Sequence, residues 1–233
     1  LTVVAPAAWT VLSNSPEVEP TPLEDGLARW AFAATPPISS YITALIAGNF
    51  HTVRDSYSGQ GAEIPLSVSC RASVAPHLDA ERILATTKAG FAVFEEHFGR
   101  PYPFADYAQV FVPEFNAGAM ENAGCVTIRD EYLYRSRVTN ASYEARDNTI
   151  LHELAHMWFG DLVTMTWWDD LWLNESFAEW ASHFCQAEIR AKGAERDDPW
   201  ATFANSRKNW AYRQDQLPST HPVAADMVDL AAV

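Results

Sequence analysis

The chain has 233 residues, 48% hydrophobic and 12% aromatic with nine tryptophans, and only 20% are charged; this sustains a packed core and excludes a wholly disordered chain. Thirty acidic against sixteen basic residues leave a formal charge of −14, which disfavours nucleic acid and anionic lipid as partners. No run of about 18 apolar residues occurs, so no membrane span is expected.

The opening Leu1-Thr2-Val3-Val4-Ala5-Pro6 has neither an initiator Met nor a charged leader and reads as part of a longer or processed chain. Residues 1–60 alternate short apolar runs, such as 41–47, with turn signals at Asn14-Ser15-Pro16, Pro36-Pro37 and Gly48-Asn49, a pattern of strands. So few strands make a poor independent unit. Residues 1–61 are therefore read as the C-terminal part of an N-terminal β domain, ending at Ser58-Gly59-Gln60-Gly61, and residues 62–233 as a second domain.

In that second domain a strand is expected over 64–69. A helix capped by Asp79 then runs to about His97-Phe98, stopped by Gly99 and Pro101. Strands at 109–112 and 125–128 precede a helix from about Ser142, whose apolar stripe is Ile150, Leu151, Leu154, Ala155 and Trp158 and which Gly160 can end. A last helix is expected from about Asp170 to Ala191, ending near Gly193. Strands first and helices later make the fold class α+β. Cys70, Cys125 and Cys185 are odd in number and far apart, with no Cys-x-x-Cys; they read as buried thiols in a reducing, cytoplasmic setting.

The strongest chemical signal is His152-Glu153-Leu154-Ala155-His156. Two histidines four apart on a helix differ by about 40° around its axis, so both imidazoles leave one face and can grip one ion. Glu153 sits beside them without being a ligand, the zincin arrangement. Asn174-Glu175 offers a third ligand, with eighteen residues after His156 to turn the chain back. His152, His156 and Glu175 leave a fourth position open, as a catalytic zinc requires, and Glu153 takes the place of a general base.

A second motif, Gly118-Ala119-Met120-Glu121-Asn122, lies about thirty residues earlier. Its Gly-Ala pair lets an extended backbone approach a strand edge, and Glu121 suits a protonated α-amine. Together the two motifs resemble the aminopeptidase N family of zinc peptidases, within the gluzincins, with an actinobacterial flavour. The likeness covers residues 115–180 almost continuously and includes Val112-Pro113-Glu114-Phe115-Asn116-Ala117. It continues in Trp158-Phe159-Gly160-Asp161-Leu162-Val163-Thr164, in Trp172-Leu173-Asn174-Glu175 and, more weakly, in Ala47-Gly48-Asn49-Phe50.

The resemblance implies a thermolysin-like catalytic domain, a mixed sheet plus helices carrying one Zn2+ on His152, His156 and Glu175, with Glu153 as general base. It implies a peptide substrate with a free amino terminus held by Glu121. Gly118 and Ala119 would lie along the substrate backbone, Met120 and Asn122 would complete that motif, and Ala117 would border the pocket for the first side chain. Ser176 stands where many relatives have Gly. The family's oxyanion-stabilising Tyr lies further on: His221-Pro222-Val223 and Ala225-Asp226 resemble its lead-in, the chain stops at Val233, and Tyr212 is too early. The implied remaining partners are the N- and C-terminal domains of the parent chain. The expectation is a chain that binds zinc and turns over about 100- to 1,000-fold slowly for want of one oxyanion donor.

Three other readings use the same residues: a gluzincin endopeptidase, an epoxide hydrolase, and a metal- and peptide-binding module without turnover. An N-acetylated substrate separates the first from an aminopeptidase. Around the motifs, Trp167, Trp168 and Trp172 are expected to pack about the metal loop. Asp161, Asp169 or Asp170 would orient an imidazole, with a helix cap as the preferred role of Asp170. Glu179 is placed near the site, His183 at its periphery, and Arg135, Arg137 and Arg146 are read as surface charges or salt-bridge partners.

Overall fold

The computed structural model describes residues 1–193, 198–224 and 226–229; Ala225 and Val233, named above, lie outside them. The N-terminal stretch supplies five short strands, β1 (Thr2–Pro6), β2 (Thr10–Ser13), β3 (Thr21–Pro22), β4 (Leu27–Ala31) and β5 (Leu45–Gly48). Strands β1, β4 and β3 form one antiparallel sheet over Ala5, Val11, Ala28, Trp30 and Phe32, while β2 pairs with β5.

The central sheet has the order β6-β7-β8-β10-β9 and is built from β6 (Phe50–Ser58), β7 (Glu63–Arg71), β8 (Tyr107–Val112), β9 (Ala119–Met120) and β10 (Cys125–Arg129). Strands β7, β8 and β10 run parallel; β6 and β9 are antiparallel edges. The Gly-containing stretch 58–61 is the turn of a hairpin, because β6 and β7 pair from Phe50↔Arg71 to Ser58↔Glu63. One sheet therefore runs across the junction expected there.

Side chains alternate across this sheet with the period of two that strands impose. Ile64, Leu66, Val68 and Cys70, with Phe111, Val126 and Ile128, pack under the helices. Ala108, Val110 and Cys125 face the other way, onto Leu12, Ala44 and Ile46 of the N-terminal stretch. The helical layer consists of α1 (Ala80–Phe98), α2 (Asn140–His156) and α3 (Glu175–Ala191), followed by the short α4 (Pro199–Thr202) and α5 (Asn209–Asp215). Gly90 lets α1 lie close on α2: a Cβ there would stand 2.5 Å from Leu151 Cδ2 and 2.9 Å from Leu154 Cδ2. Fully burying each such Leu or Phe contributes about 1.5–3 kcal/mol. The assembly is α+β, as expected.

Helix α1 begins directly after Asp79, as expected, and stops at Gly99 in the left-handed region (φ 65°). Asp79 makes no side-chain cap; its Oδ2 accepts from Arg146 Nη2 at 2.6 Å. Of the two roles expected for Arg146, surface charge or salt-bridge partner, the structure shows the second. Arg146 is 1% exposed, with the rings of Tyr134 and Tyr143 centred about 5.5 Å from its guanidinium, and the carboxylate and two aromatic faces offset its desolvation.

Helix α2 ends at His156, before Gly160. The helix expected from Asp170 is divided into a 3-10 stretch, Trp168–Leu173, and α3. Asp170 has non-helical dihedrals (φ −106°, ψ 29°), and its Oδ1 accepts from Trp172 Nε1 at 3.0 Å instead of capping α3. Trp167 and Trp172 are 47% and 39% exposed, and Trp167 and Trp168 line a cavity with Gly160, Val163 and Asn174. All three cysteines are free and buried. Among the described residues no helix is long and apolar enough to cross a membrane.

Candidate metal and active site

The end of α2 and the start of α3 place three ligand atoms around one point. His152 Nε2 and His156 Nε2 are 3.0 Å apart, and Glu175 Oε2 lies 3.4 and 3.8 Å from them. Ligands about 2.0–2.1 Å from a tetrahedral ion stand roughly 3.4 Å from one another, so the three gaps fit a single zinc-sized ion. The opposite ring nitrogens face other groups: His156 Nδ1 is 3.1 Å from the Phe159 carbonyl oxygen, and His152 Nδ1, without a hydrogen bond among the described residues, is 3.4 Å from Glu179 Oε2. A proton kept on each Nδ1 leaves both Nε2 lone pairs aimed inward. The donor set and its outer partners therefore suit zinc.

Charge reinforces the arrangement. Burial alone would lower the pKa of His152, but Glu175 and then Glu179 outweigh it and raise it to about 10. Burial, and then the His152 charge, lower that of His156. Glu175 is held below the usual carboxylate range by its hydrogen bond with His152. Glu153 is buried, its Oε2 has no partner among the described residues, and burial lifts its pKa to about 8 against the opposing charge of His152.

The second motif meets this cluster from the sheet. Ala119 and Met120 form the edge strand β9, paired with Ile128 and Thr127. Ala117 and Gly118 are exposed ahead of it, and the Gly118 carbonyl accepts from Arg129 N at 3.0 Å. Asn122 Nδ2 donates to Thr127 Oγ1 at 3.1 Å, closing the turn that carries Glu121. One carboxylate oxygen each of Glu121 and Glu153 and one ring nitrogen of His156 lie within 4.8 Å of one another. Both motifs thus converge, sharing His156.

Glu179 and His183 belong to one network. Glu179 Oε1 is 2.8 Å from Arg207 Nε, and His183 Nδ1 is 2.9 Å from the Glu179 carbonyl oxygen. His183 is 2% exposed, because α3 turns it inward onto Asn148. A cavity of about 540 Å³ opens beside the cluster, lined by His152, Glu175, Glu179, Phe203, Arg207 and Trp210.

Sequence reasoning missed one contributor, Tyr41. Tyr41 donates to Glu121 Oε1 at 3.2 Å and accepts from Asn174 Nδ2 at 3.1 Å. Nothing in the spacing of the 41–47 run pointed to either contact. Gly160 admits these neighbours: at φ 126°, a Cβ there would collide with the Asn174 amide and stand 3.0 Å from His156 Nδ1.

The imidazoles take Phe159 and Glu179 as partners, which leaves none of the three candidate aspartates that task. Asp161 is buried with neither carboxylate oxygen hydrogen-bonded among the described residues. Burial, then Glu121 and Glu153, push its pKa up to about 9. A carboxyl whose folded pKa is raised stabilises most below its unfolded value, near 4, and loses that contribution as pH rises through the folded value. The protein is therefore expected to lose stability between about pH 5 and pH 9, and Asp161→Asn to flatten that slope. Thermal unfolding of both proteins across this range checks it; identical slopes would clear Asp161 of the effect.

Residues 83–232 match the Peptidase family M1 domain. The chain is 60% identical over 229 residues to Aminopeptidase N of Streptomyces lividans, covering 98% of this chain and 26% of that protein. It is 38% identical over 216 residues to Probable aminopeptidase 2 of Sulfurisphaera tokodaii, covering 92% of this chain and 26% of that protein. It is 34% identical over 233 residues to Aminopeptidase N of Mus musculus, covering 97% of this chain and 23% of that protein. The chain thus spans about a quarter of the length of these relatives.

Proposed function

The chain belongs to peptidase family M1, and from that premise we propose that it carries the metal- and substrate-binding core of a zinc aminopeptidase, which removes the first residue of peptides with a free amino terminus. The observation that carries this reading is the convergence on His156 of two sets, His152 with Glu175 and Glu121 with Glu153. In this reading His152, His156 and Glu175 hold the ion. Zinc, when bound there, supplies a Lewis acid beside the scissile carbonyl.

The remaining work falls to side chains. Glu153 takes a proton from the attacking water and passes it to the leaving amine, for which a pKa raised to about 8 is well placed. Glu121 pairs with the substrate ammonium and so fixes which carbonyl reaches Glu153. The substrate backbone adds to the outer edge of β9 through Ala119, where no strand pairs among the described residues. Gly118 leaves room for that approach, since a Cβ there would meet nothing within 4 Å. Ala117 borders the first side-chain pocket, while Met120 and Asn122 carry and brace Glu121.

The helical layer and mixed sheet are read as a thermolysin-like catalytic domain. The strands up to β5 are read as the tail of an N-terminal β domain; the catalytic sheet then begins at β6, because β6 pairs along its length with β7. Three unpaired thiols favour a cytoplasmic setting. The test compares hydrolysis of a peptide with that of its N-acetylated twin, with and without a zinc chelator. Cleavage of the free-amine peptide alone, lost on chelation, is expected. Equal cleavage of both would favour an endopeptidase and overturn the aminopeptidase reading.

A further inference from the structure

We infer that Tyr41, delivered by the N-terminal strands, is a positioning residue that holds Glu121 in its amine-binding orientation and ties it to the segment that begins α3. This rests on the aminopeptidase reading above. Tyr41 is 80 residues from Glu121 and 133 from Asn174 in the chain, yet its hydroxyl lies between them. Its single proton goes to Glu121 Oε1 (3.2 Å), and a lone pair receives Asn174 Nδ2 (3.1 Å). Donor and acceptor roles are thus both used without conflict. Burial, and then the Glu121 carboxylate, hold the phenol above its usual range, so it remains the donor.

The turn bearing Tyr41 is itself anchored. Ile42, the next residue, is fully buried. Asn14 Nδ2 donates to the carbonyl oxygens of Ile42 and Ala123, both at 2.8 Å, and Asn14 Oδ1 accepts from Ala44 N at 2.7 Å. Ser13 Oγ adds a bond to the Ala44 carbonyl oxygen at 2.8 Å. One asparagine therefore fastens the Tyr41 turn to the loop that follows Glu121.

The consequence is geometric. With Oε1 engaged by Tyr41, the other oxygen of Glu121 is left for an ammonium group. Asn174 immediately precedes Glu175, so the same hydroxyl sets the separation between the amine anchor and a proposed metal ligand. That separation decides which carbonyl is presented for attack.

The test uses the zinc-loaded protein carrying Glu153→Gln, so that peptides persist, and calorimetric binding of a tripeptide amide and its N-acetylated twin. Adding Tyr41→Phe is expected to weaken binding of the free-amine peptide about ten-fold, the scale of one hydrogen bond to a charged group, and to leave the acetylated twin unchanged. Tyr41 is 43% exposed and the ring is retained, so zinc content and melting temperature should hold. On a Glu121→Gln background the same change should add nothing. An unaltered preference for the free amine, or equal losses for both peptides, would overturn the inference. If the protein with Tyr41 intact binds both peptides equally, the amine-anchoring role of Glu121 fails first and takes the inference with it.

Discussion

Glu153→Gln is expected to lower turnover by about 100- to 10,000-fold while the protein keeps its zinc, the range for losing a general base. That corresponds to about 3–5 kcal/mol of barrier. Gln preserves the shape of the side chain and its place beside His152, but it cannot accept the proton. Glu153 is 5% exposed and its Oε2 has no partner among the described residues, so the substitution leaves little else to explain a loss. Steady-state hydrolysis together with elemental analysis checks the prediction. Turnover preserved in the Gln variant would remove Glu153 as the base and shift attention to Glu121, the other buried carboxylate within reach of His156.

Glu175→Ala is expected to weaken zinc binding on the order of 100- to 1,000-fold, since about 10–16 kcal/mol of binding in a structural site with four protein ligands is roughly 3–4 kcal/mol per ligand. The Glu175 side chain is 55% exposed, against 1% for His156, so its removal tests the ligand role with little disturbance of the core. Glu179→Gln, acting only through His152, is expected to cost about ten- to a hundred-fold. Competition with a chromophoric chelator at fixed pH ranks the two. An equal or reversed order would break the ligand assignment. The pH matters because metal and proton compete for His152, whose pKa is raised to about 10. Affinity is therefore expected to climb by about ten-fold per unit as pH rises from 6 to 8.

Much of the proposed site was legible because its residues follow local periodicity. His152 and His156 share a face for any helix that spans them, and Glu153 necessarily follows. α1 was readable to within one residue because a left-handed Gly99 stops it. Other features shared their composition with something else. A Gly-rich hairpin turn and a Gly-rich linker look alike, so 58–61 read as a boundary although β6 and β7 pair across it. Arg146 could be read either as a surface charge or as a salt-bridge partner, because charged side chains are usually exposed, and only the meeting of Asp79, Tyr134 and Tyr143 makes its burial tolerable. Asp170 breaks the expected helix because its side chain bonds Trp172 instead of capping α3.

By itself the sequence determined the α+β class, the family, and the residue types of the proposed metal and amine sites. The three-dimensional arrangement alone decided which oxygen lies where: Glu179 behind His152, the Phe159 carbonyl behind His156, and Tyr41 against Glu121. The physical reason is range. Side-chain direction along one helix or strand follows from backbone periodicity over a few residues, whereas a contact between residues 80 apart exists only once the N-terminal strands have packed on the far face of the sheet.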